Sequence, residues 1–91
     1  MISRSVLFYW SKGARTRRRI LMETRKLNEA DEPCFLNVLS DKLELSHVAV
    51  KKHMELLIEE KYIKQINPGG KPIYLEITAA GKDVLEEVAG K

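Results

Sequence analysis

Hydrophobic and polar positions divide this chain into segments of different period. Residues 2–10 are mostly apolar, interrupted by Arg4 and two serines, and suit a short helix before Ser11-Lys12-Gly13 breaks the pattern. From Ala14 to about Asn28, Ala14, Ile20, Leu21, Thr24 and Leu27 fall near one helical face while arginines cover the other. Glu29 to Pro33 reads as a turn. Pro33 suits the first turn of a following helix, because its missing N–H has no helical partner there. Asp31 or Glu32 supplies the negative charge that such an end favours. Phe35, Leu36, Val38, Leu39 and Leu43 form the buried side of that helix, and Glu44-Leu45 is a tight connection. Ser46 is a good N-cap for the next one. There Val50, Met54, Leu57 and Ile58 stand at i, i+4, i+7 and i+8, and the helix is predicted to end near Lys61.

At Tyr62 the pattern turns β-rich. Tyr62–Ile66 and Ile73–Ile77 read as strands, with the turn signal Asn67-Pro68-Gly69-Gly70-Lys71-Pro72 between them. Thr78 then caps a last helix through Val84, Leu85 and Val88. The predicted fold is mainly α with a small β-hairpin, and residues 1–91 form one domain. Two short helices flank a tight turn, and the second runs straight into the hairpin. That order is a winged helix-turn-helix with a C-terminal helix after the wing.

The residues themselves resemble the ArsR-type family of winged-helix repressors, with relatives in the MarR group. Thr16-Arg17-Arg18-Arg19-Ile20-Leu21 looks like the family's "TRRRIL" stretch at its second helix. Leu45-Ser46-His47-Val48-Ala49-Val50-Lys51-Lys52-His53-Met54, continued to Leu57, resembles its "LSxxxVxxHLxxL" recognition segment. Tyr74 to Lys82 is similar to the family's "Y-x-L-T-x-x-G-K", with one extra residue between Tyr74 and Thr78. The resemblance implies a DNA-binding transcriptional regulator. Its recognition helix spans about 46–61 and lies in the major groove, and its wing, 66–73, meets the adjacent backbone or minor groove.

An α-helix fits the major groove, so the surface left by Val50, Met54 and Leu57 is informative. That arc carries Val48, Lys51, Lys52, Glu55 and Glu59, with Ser46 and His47 at its leading end. His47, Lys51 and Lys52 can donate to guanine or to phosphate, and Val48 can touch a thymine methyl. Ser46 can bond a phosphate or cap its own helix. Glu55 and Glu59 end the contact about two turns in. Arg17 and Arg18 are candidate phosphate clamps. The other reading of the cluster from Arg15 to Arg19 is a solvated face with pairs such as Arg19 with Glu23, and the resemblance implies that one arginine here is structural. Lys64 and Lys71 bracket the wing as candidate phosphate contacts. His53 invites a metal or pH-switch reading, but it stands at the family's histidine position, which implies a partly inward ring and favours a structural histidine hydrogen-bonded near the core.

Charge supports a polyanion partner through its distribution more than its total. The formal net charge is only +3, yet residues 1–30 hold eight basic side chains against two acidic ones, while residues 76–91 carry an excess of acid. The one cysteine, Cys34, excludes an intrachain disulfide and fits a reducing cytoplasm. Metal-sensing members of the resembled family often carry Cys-x-Cys where this chain reads Cys34-Phe35-Leu36. His47 and His53 are also poorly spaced for one helical face, so no metal is expected. Val6 to Trp10 is too short to cross a bilayer. No catalytic constellation, cofactor loop or small-molecule site stands out, so an enzyme is not expected. Apolar residues in segments 2–10 and 79–89 are the expected homodimer surface. The alternatives are a winged helix used for protein–protein assembly in a larger complex, or coating of RNA or of DNA without sequence preference.

Overall fold

A computed structural model describes residues 2–89. Val6–Trp10 winds as one π-helical turn. It is followed by α1 (Ala14–Glu29), α2 (Leu36–Leu43), α3 (His47–Glu59), β1 (Ile63–Gln65), β2 (Leu75–Ile77) and α4 (Ala79–Ala89). The strands pair antiparallel with Ile63 opposite Ile77, Lys64 opposite Glu76 and Gln65 opposite Leu75.

One apolar cluster holds these elements together. Leu7 and Phe8 from the N-terminal turn, Ile20 and Leu21 from α1, Leu39 from α2, Val50 and Leu57 from α3, Ile63 and Leu75 from the hairpin, and Val84 from α4 are all fully buried. Each such side chain stabilises the fold by roughly 1.5–3 kcal/mol relative to its exposed state. Phe8 meets Tyr62 edge to face at 4.9 Å, which ties the start of the chain to the residue before the hairpin.

The element boundaries follow local chemistry. Glu44 adopts a left-handed conformation (φ 56°) and stops α2, so Leu45 N–H turns back to the Ser40 carbonyl at 3.2 Å. Ser46 then caps α3, its Oγ accepting from Ala49 N–H at 3.2 Å. Pro33 departs from expectation: α2 begins three residues later, at Leu36. Cys34 is extended there because its carbonyl accepts the Leu75 N–H at 2.9 Å, extending the hairpin sheet where a helix would withdraw that acceptor. The strands are also shorter than the expected 62–66 and 73–77. Asn67 takes over the pairing near the tip, accepting from Tyr74 N–H (2.9 Å) and donating to the Pro72 carbonyl (2.9 Å). Thr78 caps α4 as expected, accepting from Gly81 N–H at 3.2 Å while donating to the Lys61 carbonyl at 2.7 Å.

The outer edge of β2 is closed by a residue from α1. Asn28 donates to the Leu75 carbonyl (3.2 Å) and accepts from Ile77 N–H (2.8 Å), matching two backbone groups on the side of β2 away from β1, beside the bond from Leu75 N–H to the Cys34 carbonyl. Asn28→Ala strands both groups in a half-buried setting, so a loss of about 1–3 kcal/mol is expected in urea unfolding, with the slope unchanged.

Candidate nucleic-acid interface

Position along α3 decides which side chains can reach a partner. Val50, Met54 and Leu57 are buried, which fixes the rotation of the helix. Ser46, His47, Val48, Lys51, Lys52 and Glu55 are therefore exposed along one arc. Val48 is 79% exposed, so its methyl groups are open to a partner. The Ser46 oxygen is occupied by its cap, which leaves its hydroxyl hydrogen to donate outward.

The hairpin tip comes beside this arc. A groove of about 290 Å³ between wing and helices is lined by Phe35, Leu36, Met54 and Ile73, with Lys51 and Lys71 among its walls. A lysine of α3 and a lysine of the wing thus border one concavity. The hairpin is braced from inside by Asn67, so Lys71 is carried on an organised turn.

Three expected contacts are drawn elsewhere. Arg17, expected as a phosphate clamp, is 5% exposed. Its Nε donates to the Leu7 carbonyl (2.7 Å), one Nη faces His53 Nδ1 (3.1 Å) and the other reaches the Lys12 carbonyl (3.4 Å) and Ser11 Oγ. Burial lowers its pKa from the ordinary guanidinium value, but the group stays protonated at any working pH. Arg18 is half-buried, donates to the Phe8 carbonyl and lies 5.9 Å from the centre of the Tyr9 ring. Both arginines thus hold the N-terminal turn. Lys64 is paired with Glu76 across the hairpin at 3.2 Å, which neutralises it locally. The expected Arg19–Glu23 pair is replaced by Lys26–Glu23 at 3.8 Å.

His53 does point inward, and Gly13 explains how. Gly13 has φ +88°, and any Cβ there would stand 2.6 Å from His53 Cε1, so the imidazole rests on bare backbone. Burial foremost, then Arg17 and Lys52, lowers the His53 pKa from its ordinary value. Sequence reasoning had missed this contact surface, although Gly13 directly before a helix of arginines was its signal. Cys34 is buried against Thr24 Oγ1 at 3.7 Å, and burial raises its thiol pKa, which suits a packing residue. Among the described residues no three His, Cys, Asp or Glu side chains converge as metal ligands. Among them, too, no helix is long and apolar enough to cross a membrane.

A helix pair with a tight turn, a following hairpin and a closing helix define this chain as a winged helix-turn-helix. Its fold is similar to that of MarR-type winged-helix regulators. A cysteine-to-serine mutant of MarR from E. coli, solved in complex with operator DNA, matches 84% of this chain and 53% of its own at 15% identity and a TM-score of 0.67. The adhesin competence repressor AdcR from Streptococcus pyogenes matches 84% and 55% at 20% identity and 0.65. A cysteine-to-serine mutant of Lactococcus lactis ZitR matches 82% and 49% at 25% identity and 0.64. The chain spans about half the length of each. No protein-family model matches the sequence, and no curated protein does.

The two arginine classes separate in a stability measurement. Arg17→Leu leaves the Leu7 and Lys12 carbonyls without their donor and is expected to cost about 3 kcal/mol. Exposed Arg19→Ala should leave the chemical unfolding midpoint where it is.

Proposed function

We propose that the protein is a sequence-specific regulator that binds double-stranded DNA, acting in the cytoplasm as a homodimeric repressor of the ArsR/MarR type. The observation that carries this reading is the convergence of Lys51 and Lys71 on one groove beside an exposed arc of His47, Val48 and Lys52. A helix in the major groove and a wing on the neighbouring backbone would use those groups together. That MarR is solved with operator DNA on the same fold supports it. Ser46 donates to phosphate in this reading, His47 and Val48 read base edges, and Lys51, Lys52 and Lys71 neutralise phosphates. Arg17 and Arg18 position the scaffold, and Lys64 contributes little while Glu76 holds it.

Phosphate and base contacts respond differently to mutation. Lys52→Ala should weaken binding to every duplex and lower the salt slope by about one unit. His47→Ala should cost roughly 1–3 kcal/mol on the selected duplex and little on a scrambled one. Titration of both variants against both duplexes at several salt concentrations checks this. Parent-like binding by both would favour a role in protein assembly.

The dimer surface needs revision at residue level. Leu7, Phe8, Val84 and Leu85, expected to face a second copy, are consumed by the chain's own core. Ile2, Val6 and Trp10 remain, spaced four apart along the N-terminal segment, with Trp10 82% exposed. Half-buried Val88 packs against the same core from the last helix. We assign the dimer contact to this stripe. Trp10→Glu is expected to turn a dimer into a folded monomer in sedimentation, and a parent that is itself a monomer at micromolar concentration would refute the assignment.

A further inference from the structure

Among the described residues, one side-chain hydrogen bond joins the middle of α3 to the rest of the fold, and the groups that orient its donor belong to the N-terminal segment. Arg17 is fixed by the Leu7 and Lys12 carbonyls and by Ser11 Oγ, and Ser11 in turn donates to the Val6 carbonyl. Its remaining N–H group faces His53 Nδ1 at 3.1 Å. A guanidinium only donates, so Nδ1 must be the acceptor and the imidazole must be neutral. His53 lies between Lys52, exposed on the DNA-facing arc, and Met54, buried in the core. The ring is seated between Arg17 and the bare backbone of Gly13, which adds one directional polar anchor to the rotation that Val50, Met54 and Leu57 fix.

We propose that Arg17 is a positioning residue for DNA binding, holding α3 through the neutral His53 imidazole, so that protonation of His53 releases the helix and weakens the complex. This rests on the DNA-binding reading above. A protonated Nδ1 has no lone pair for Arg17 and sets two cations against each other. The charged groups acting on the ring are Arg17 from α1 and Lys52 from its own helix, both positive, and the loop beneath contributes Gly13 and the exposed Lys12. Burial acts in the same direction. The folded ring therefore binds its proton less readily than a released one. The anchor is intact above the ordinary imidazole pKa of about 6.5 and is lost as pH falls through the lowered folded value.

His53→Asn tests this, since the Asn Oδ1 stands near the place of Nδ1 and accepts from Arg17 without titrating. The full-length parent and H53N are titrated with the same selected duplex from about pH 7.5 to about pH 5 at constant ionic strength. His47 is common to both proteins, so whatever it contributes cancels in the ratio of their affinities. Parent affinity should fall relative to H53N by up to about tenfold per pH unit, the limit for one linked proton. A ratio independent of pH overturns the proposal. Hydrogen exchange of the α3 amides, corrected for intrinsic rate and measured without DNA, supplies the second readout. Acid should open α3 in the parent and not in H53N, and equal protection at every pH overturns the proposal whatever the duplex does. An exchange response without binding to any duplex would support the anchor and overturn the DNA reading.

Discussion

A guanidinium taken out of water has to find acceptors in fixed directions, and the acceptors of Arg17 come from two parts of the chain that lie far apart in sequence. The Leu7 and Lys12 carbonyls and Ser11 Oγ belong to the N-terminal segment, and His53 Nδ1 belongs to α3. The planar fork suits this task where a lysine ammonium would not, because three separate directions are satisfied at once. Removing the charge while leaving the acceptors would cost more than any one bond is worth, since buried carbonyls would be left unmatched. The conformation of Gly13 belongs to the same arrangement: its missing Cβ lets the His53 ring approach closely enough for Nδ1 to reach Arg17.

That arrangement also explains why the terminal segments split into an inner and an outer face. Arg17 and Arg18 draw the carbonyls of Leu7 and Phe8 toward α1, which turns those two side chains into the core. Val6 and Trp10 then have to face outward. Arg4 adds a clamp from the other direction, pairing with Glu87 of α4 at 2.7 Å and lying 5.9 Å from the Tyr62 ring. Under the dimer and DNA-binding readings, the surface that would meet a second copy and the helix that would read DNA are joined through one buried side chain.

The helices, the hairpin and the exposed arc of α3 were legible in the sequence because they depend on period and on local signals such as the Ser46 cap and the Asn67-to-Pro72 turn. The partner each cation meets was not. Six of the basic residues in 1–30 are arginines, and the period that turns Ala14, Ile20, Leu21, Thr24 and Leu27 inward also puts Arg17 on that face and Arg15 and Arg19 on the opposite one. What the period does not show is which groups would accept from a buried guanidinium, because one of them, His53, lies far along the chain. The same holds for Asn28, whose two hydrogen bonds to β2 span nearly half the sequence. Pro33 failed for a related reason: the Leu75 N–H competes for the Cys34 carbonyl, and a sheet contact outweighed a local helical preference.

The separation of arginines from lysines has a further consequence for how such a weakly charged chain could bind a polyanion. With a net charge of +3, little long-range attraction is available, so affinity must come from cations concentrated on one surface. Four of the arginines best suited to rigid bidentate contacts, Arg4, Arg17, Arg18 and Arg25, are engaged within the fold. Lysines occupy the arc and the wing, and an ammonium on a flexible stem neutralises phosphate with little demand on geometry. Sequence discrimination would then fall to the few directional groups at the leading end of α3, Ser46 and His47, together with the methyl-sized contact of Val48. A reading head of that size is small for one copy. Joining two copies through the Trp10 stripe would double it without adding a single residue to the groove.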